Sequence, residues 1–285
     1  MAYAKDKNQG KTVIWHSFGS PMDTMSCVNT QLIEKGSFGN VFRAQLNGKI
    51  YALKQIPLEN ENIFKRECRM AFLTKDNQFT ARVYKSYVLN NNGYLLMELC
   101  KRDMYEVLQQ VELEERQVAI LFRQLCRAVQ ELHQMGIAHL DLKLENVLMT
   151  DDNSVKLCDF GSATRFIAGK SKIVKRKLGT PKYTAPELIQ GNSFLPVKAD
   201  IWSLGTILYL LLTRTFPTHD LEDPSPIIGE KIFTLHHLDT LPLTKSCKNL
   251  VVKILQRDPS NRCSLKEILA HPWLSPSRKD RVFSL

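Results

Sequence analysis

The chain has 285 residues, long for one ordinary core and long enough for two. Hydrophobic residues make up 44% and charged residues 24%, the balance of a soluble globular protein rather than of a disordered or membrane-embedded one. The formal charge of +10 admits a polyanion partner, but a basic surface more often serves solubility, so nucleic acid is not expected as the main partner.

Seven cysteines stand at positions 27, 68, 100, 126, 158, 247 and 263, with no C-x-x-C pair. An odd, scattered set argues against a disulfide framework or a zinc site. It fits reduced thiols in the cytoplasm, with the nucleus also open. The N-terminus carries no apolar signal region, and the longest apolar run, 207–212, falls far short of the ~20 residues of a membrane span. No membrane partner is expected.

Residues 1–28 show no strong period and read as an N-terminal extension, although Val13-Ile14-Trp15 could pack against the strands after it. Residues 32–44 read as strand, turn, strand, with Gly36-Ser37-Phe38-Gly39 as the turn. A glycine turn lets backbone N–H groups approach phosphate with no Cβ in the way; a ligand-free hairpin is the ordinary alternative. Asn47-Gly48 signals a hairpin, and the next apolar strand ends in Tyr51-Ala52-Leu53-Lys54. Residues 61–75 have helical composition. Residues 83–89 and 94–97 read as strands joined by Asn90-Asn91-Asn92-Gly93, a turn-forming run. Asp103 suits a helix N-cap. Residues 114–135 form an amphipathic helix whose apolar stripe includes Leu121, Leu125, Ala128, Val129 and Leu132, stopped by Gly136.

Then comes His139-Leu140-Asp141-Leu142-Lys143-Leu144-Glu145-Asn146, with Asp159-Phe160-Gly161 following and Ala185-Pro186-Glu187 further on. A short hairpin is expected around residues 151–154. An apolar helix opens at Ala199-Asp200-Ile201-Trp202 and runs to about 212. Residues 214–243, with four prolines, read as irregular; 245–256 and 264–270 read as the last helices, and 275–285 as a polar tail.

Taken singly, these polar residues have bland roles: Asp141 could cap a turn, and Asn146 could bond backbone. As an ordered set, Lys54, Asp141, Lys143, Asn146 and Asp159 resemble the catalytic core of eukaryotic-type protein kinases. The resemblance runs from about residue 32 to about 274. It implies an α+β, two-lobed fold: a small antiparallel-sheet lobe with one main helix (about 29–97), a hinge at 98–102 and a larger, mainly helical lobe (about 103–274).

It further implies ATP and Mg2+ as cofactors and protein substrates phosphorylated on serine or threonine. Small-molecule phosphotransferases share part of the pattern; Lys143 and Ala185-Pro186-Glu187 favour a protein kinase. Lys143 and Gly179-Thr180-Pro181-x-Tyr183 favour the serine/threonine class. In this reading Asp141 accepts the substrate hydroxyl proton, Lys143 sits near the transferring phosphate, and Asn146 and Asp159 ligate magnesium. Lys54 meets the α- and β-phosphates and pairs with an acid on the next helix: Glu67, with Glu59 and Glu61 as alternatives. The nucleotide would also meet Ile33, Gly36, Ser37, Phe38, Gly39, Val41, Ala52, Met97, Glu98, Cys100 and Leu148, with backbone groups of Glu98 and Cys100 on adenine. Asp200 would hold the catalytic-loop backbone, and Arg262 would pair with Glu187. A monomer is expected, with a regulatory protein partner open.

Two departures bear on regulation. Glu34 replaces the first glycine of the family's G-x-G-x-x-G. Leu140 replaces an arginine that commonly pairs with a phosphate on the activation loop, a bond leucine cannot make. Activity is therefore expected not to depend on phosphorylation of Ser162, Thr164 or Ser171. The run Lys170, Lys172, Lys175, Arg176 and Lys177 is either a solvated loop or an attraction for acidic substrates. Glu145 and Asp103 instead match acids that bind substrate arginine, and tilt the expectation to a basic consensus. A catalytically silent scaffold and a basic nucleic-acid binder are the rival readings.

Overall fold

A six-stranded antiparallel sheet dominates the first of two compact units, Met1–Asp76 with Ala81–Leu99. The computed structural model describes residues 13–15, 25–36, 38–167, 179–190, 193–217 and 236–275. The strands are β1 (Val13–Trp15), β2 (Met25–Gly36), β3 (Gly39–Leu46), β4 (Lys49–Pro57), β5 (Val83–Leu89) and β6 (Asn92–Met97), in the order β1-β2-β3-β4-β6-β5. Strand β1 pairs with β2 through Val13 and Cys27, so the Val-Ile-Trp run joins the sheet and β2 begins inside the expected extension.

Turn chemistry places the strands. Asn47 and Gly48 both take positive φ, 49° and 75°, in the hairpin between β3 and β4. Asn90 and Asn91 do the same, at 46° and 60°, between β5 and β6. Helix α1 (Glu61–Leu73) lies on the sheet with Phe64 seated over Gly93, where an added Cβ would come within 2.4 Å of the ring. The opposite face of the sheet buries Ala44, Leu46, Leu53, Tyr94 and Leu96, with the Tyr87 and Tyr94 rings stacked at 5.2 Å.

The second unit comprises Asn77–Thr80 and Cys100–Leu285. Strand β7 (Arg102–Asp103) leads into α2 (Met104–Gln110), and Asp103 caps that helix by accepting from Glu106 N at 2.7 Å. Helix α3 (Glu115–Gln134) starts with a capping box between Glu114 and Gln117. It ends at Gly136, whose φ is +68°. Its apolar stripe is core, packed against α5 (Pro196–Thr213) and α8 (Leu265–Leu269).

Helix α5 is apolar nearly all round and buried along its length, as a central helix must be. Short strands β8 (Ile137–Ala138), β9 (Val147–Met149), β10 (Val155–Leu157) and β11 (Thr164–Arg165) frame the catalytic-type loop. Helix α4 (Pro186–Ile189) comes next. The 214–243 region, expected to be irregular, contains α6 (His236–Thr240), and α7 (Lys245–Ile254) ends short of the expected 256. No helix among the described residues is long and apolar enough to cross a membrane.

Candidate active site

In the first unit, strand register decides which side chains share a face. Val41 faces Lys54, Lys54 faces Leu95, and Ala52 faces Met97. Alternation along β4 then puts Val41, Ala52, Lys54 and Met97 on one side of the sheet. Lys54 Nζ lies 2.7 Å from Glu67 Oε1, and both side chains are over 90% buried. Of the three acids weighed for this role, Glu67 is the partner; Glu61 instead pairs with Lys65 on the surface.

The glycine turn behaves differently from a pure phosphate cradle. An added Cβ at Gly39 would lie 1.9 Å from Gln55 O, so strand packing alone demands glycine there. Gly36, by contrast, would meet only Gly39 O at 3.2 Å. Glu34 sits in the β2–β3 ladder opposite Val41, beside a register shift. Ile33 and Phe38 are exposed at 50% and 38%, surfaces a planar apolar ligand could cover. Ser37 lies outside the described residues. Glu98 N donates to Arg82 O at 2.8 Å. The chain passes from the first unit to the second between Leu99 and Cys100.

In the second unit, Asp200 anchors the catalytic-type loop. Fully buried on α5, it accepts from His139 N at 2.9 Å and Leu140 N at 2.8 Å, and its Oδ2 lies 2.8 Å from His133 Nε2. These bonds hold Leu140 at φ +62°, a conformation that costs a non-glycine residue about 1–3 kcal/mol. From there a thread of hydrogen bonds runs along the loop. Asn146 Nδ2 donates to Asp141 O at 2.8 Å, Cys158 N donates to Asn146 O at 3.1 Å, and His139 Nε2 donates to Cys158 O at 2.9 Å.

The thread ends beside Asp159, which takes φ +60° and accepts from Gly161 N at 3.2 Å. Asn146 spends its amide nitrogen inward, so its amide oxygen is the atom available to a cation. That oxygen and the Asp159 carboxylate are hard donors suited to magnesium, which keeps waters and ligand phosphates as its remaining partners. Among the described residues no cluster of three or more His, Cys, Asp or Glu could hold a metal without such help. Lys143 is half-buried at the start of the turn, its carbonyl accepting from Asn146 N at 3.1 Å, and Leu148 is half-buried on β9.

Sequence reasoning did not find two further contacts. Thr180 Oγ1 donates to Asp141 Oδ1 at 2.9 Å, and His133 supports Asp200. The Gly-Thr-Pro run signalled a class of substrate but no contact. His133 lies at the end of helix α3, where no local pattern singles it out.

The segment ending in α4 docks on the loop at Gly179, where φ is +74° and an added Cβ would lie 2.9 Å from Leu140 O. Ser203 Oγ donates to Tyr183 O at 2.9 Å, and burial raises the Tyr183 phenol well above its usual range. A small cavity beside Asp141 is lined by Leu140, Gly179, Thr180, Tyr183 and Thr184. Glu187 holds Arg262 through two bonds of 2.8 and 3.1 Å. Ser162 is buried and Thr164 lies in β11 opposite Ala138. Ser171 and the lysine run at 170–177 lie outside the described residues.

Residues 28–274 match the protein kinase domain model. The chain belongs to the protein kinase family. Its two units are the lobes of that fold, the first carrying the sheet and the second the helices. It is 32% identical over 257 residues to testis-specific serine/threonine-protein kinase 2 of Mus musculus, covering 88% of this chain and 72% of that one. It is 34% identical over 200 residues to maternal embryonic leucine zipper kinase of Xenopus tropicalis, covering 70% of this chain but 30% of that longer protein. The serine/threonine-protein kinase ppk16 of Schizosaccharomyces pombe is 33% identical over 257 residues, 87% of this chain and 38% of the yeast protein.

Proposed function

We propose that the chain is a serine/threonine protein kinase that transfers the γ-phosphate of ATP to hydroxyls of protein substrates. The observation that carries this reading is the hydrogen-bonded thread from Asp141 through Asn146 to Cys158, which ties two polar residues of one loop to the backbone next to Asp159. Such transfer asks the protein mainly to aim the attacking hydroxyl and neutralise charge.

Asp141 is the base: its carboxylate receives the substrate hydroxyl proton as that oxygen attacks phosphorus and the bond to the β-phosphate oxygen breaks. Lys143 offers its ammonium to the transferring phosphate. Lys54, oriented by Glu67, offers its charge to the α- and β-phosphates. Asn146 and Asp159 would hold magnesium, which when bound screens the phosphate charges. On the first unit, Ile33, Val41, Ala52 and Met97 are the apolar surfaces we assign to adenine, with the backbone of Glu98 as a polar partner.

The finer proposal is independence from activation-loop phosphorylation. Leu140 is 4% exposed; Gly179 and Thr180 meet the loop at Leu140 and Asp141, and Tyr183 is held by Ser203 of α5, through backbone and hydroxyl groups that need no phosphate. We place the protein in the cytoplasm or nucleus as a monomer.

The test is transfer from labelled ATP and magnesium to a serine/threonine peptide library, before and after phosphatase treatment, with Asp141→Asn as control. Expected is transfer that vanishes in the mutant and survives phosphatase. Folded protein that binds ATP without transfer would favour a silent scaffold; transfer abolished by phosphatase would refute the independence.

A further inference from the structure

Glu34 stands where the family's glycine-rich turn has its first glycine, and the register of β2 decides where its side chain goes. Along β2 and β3, Leu32 pairs with Phe42, and the next pair is Glu34 with Val41. One extra residue, Ile33, is therefore inserted on β2, a β-bulge. In a regular ladder Leu32 and Glu34 would share a face. The bulge separates them. Leu32 stays with Phe42, which packs against the cluster of Ala44, Leu46 and Leu53. Glu34 joins the other side of the sheet, because residues directly opposite in a ladder share a face, and Val41 in turn stands opposite Lys54.

The row across the strands thus reads Glu34, Val41, Lys54, and two strand spacings put Glu34 about 10 Å from Lys54 at the backbone. The neighbouring base does not neutralise it. Lys35 pairs with Asn40 and Asn40 with Gln55, whose amide meets the Tyr94 hydroxyl on the clustered face. Glu34 itself is exposed, and its carboxylate makes no hydrogen bond or ion pair with a described residue. It is an uncompensated acid on the face that carries Lys54.

Its place along the strand selects which part of a nucleotide it meets. Ile33 is assigned to adenine and the Gly36 backbone to phosphate, and three residues of strand span about 10 Å. A nucleotide that touches both carries its sugar past Glu34. A carboxylate only accepts hydrogen bonds. Phosphate oxygens repel it, whereas the ribose hydroxyls in that span are donors.

On the reading of this face as the nucleotide surface, we infer that the Glu34 carboxylate accepts hydrogen bonds from the 2′- and 3′-hydroxyls of the ribose and makes the chain selective for ribonucleotides over deoxyribonucleotides. The same charge lies near the triphosphate and weakens the binding of any nucleotide whose sugar cannot offset the repulsion. Selectivity then has two sources in one side chain: a bond that ATP makes, and a repulsion that a deoxy analogue meets without it.

The test is calorimetric titration of the full-length chain with Mg-ATP and with the magnesium complexes of its 2′-deoxy and 3′-deoxy analogues, in the parent, Glu34→Gln and Glu34→Ala. The parent should bind ATP roughly ten-fold more tightly than the analogues, the scale of one hydrogen bond to a charged group. In Glu34→Ala the ratio should fall to about two or less, with the analogues bound more tightly than by the parent. Glu34→Gln keeps an acceptor oxygen without the charge and should fall between the two. Residue 34 is exposed, so both variants should melt like the parent. The same ratio in parent and Glu34→Ala overturns the assignment, because the selectivity would then arise elsewhere. So does equal tightening of all three nucleotides, which would leave Glu34 a repulsive charge only. Transfer to peptides is followed beside binding. ATP bound but not transferred would end the kinase reading, while the ratios still decide the role of Glu34. A folded parent that binds none of the three nucleotides overturns both.

Discussion

Thr180 donates its hydroxyl to the Asp141 carboxylate at 2.9 Å, although 39 residues separate them. The bond engages Oδ1, so in the proposed reaction Oδ2 is the oxygen that would take the proton, and Thr184 Oγ1 braces Thr180 by donating to its carbonyl at 2.9 Å. Thr180→Ala should lower kcat by roughly 10²-fold, the scale of a misplaced reacting group, while leaving the KM for ATP within about two-fold. Thr180→Ser keeps the donor and should retain most activity. Steady-state kinetics on both variants decide this; equal losses in the two would show that the methyl group, not the hydroxyl, matters.

Lys54 and Glu67 make a different kind of prediction, because both ends are buried. Removing one end leaves an uncompensated charge, which typically costs ~3–5 kcal/mol. Lys54→Met and Glu67→Gln should therefore each lower the melting temperature as well as activity. The double change Lys54→Met with Glu67→Leu should recover much of the stability and none of the activity. Thermal melts alongside activity assays test this. A double variant as unstable as the singles would mean that packing, not charge, dominates the site.

The contacts around the candidate site were legible because their residue types have few other uses in that order. Lys54 with Glu67, Asp200 under the loop, and Arg262 with Glu187 all stand where the pattern put them. What stayed hidden depended on three-dimensional approach. Gly39 looked like a phosphate-loop glycine, yet the Gln55 carbonyl alone excludes a side chain. Asp103 had two readings, and the structure places its carboxylate on Glu106 N as a cap. The Thr180 and His133 contacts required knowing which residues distant in sequence come within 3 Å, information no local period contains.

Glu145 gives a test of the proposed preference for basic substrates. Its Oε2 is buried without a hydrogen-bond partner, and its charge contributes to raising the nearby Tyr183 phenol. A buried carboxylate oxygen left unmade is costly, and a basic group from a substrate would satisfy it. Glu145→Gln should reduce selection of arginine-containing peptides by roughly ten-fold in kcat/KM, since charge-assisted bonds contribute ~1.5–3 kcal/mol. Peptide-library profiling of parent and variant checks this. An unchanged profile would remove Glu145 from recognition and return weight to the basic run at 170–177.

The last prediction concerns acid. His271 Nδ1 accepts from Trp273 N at 3.3 Å, and its Nε2 faces Asn249 Oδ1 at 3.1 Å, so the ring is neutral with its proton on Nε2. Desolvation first, and then the Lys253 charge, hold its pKa below the ordinary 6.5. The folded state thus binds a proton less readily than the unfolded chain. Its contribution to stability is complete above pH 6.5 and is lost as pH falls from 6.5 towards the depressed folded value. Protonating Nδ1 also removes the acceptor for Trp273 N, whose indole is tied to Glu115 Oε1 at 2.7 Å. Melting temperature should therefore drop between pH 7 and 5.5 by more in the parent than in His271→Asn, whose side-chain oxygen can still cap Trp273 N without titrating. Parallel curves for the two proteins would exclude His271 as the source of acid sensitivity.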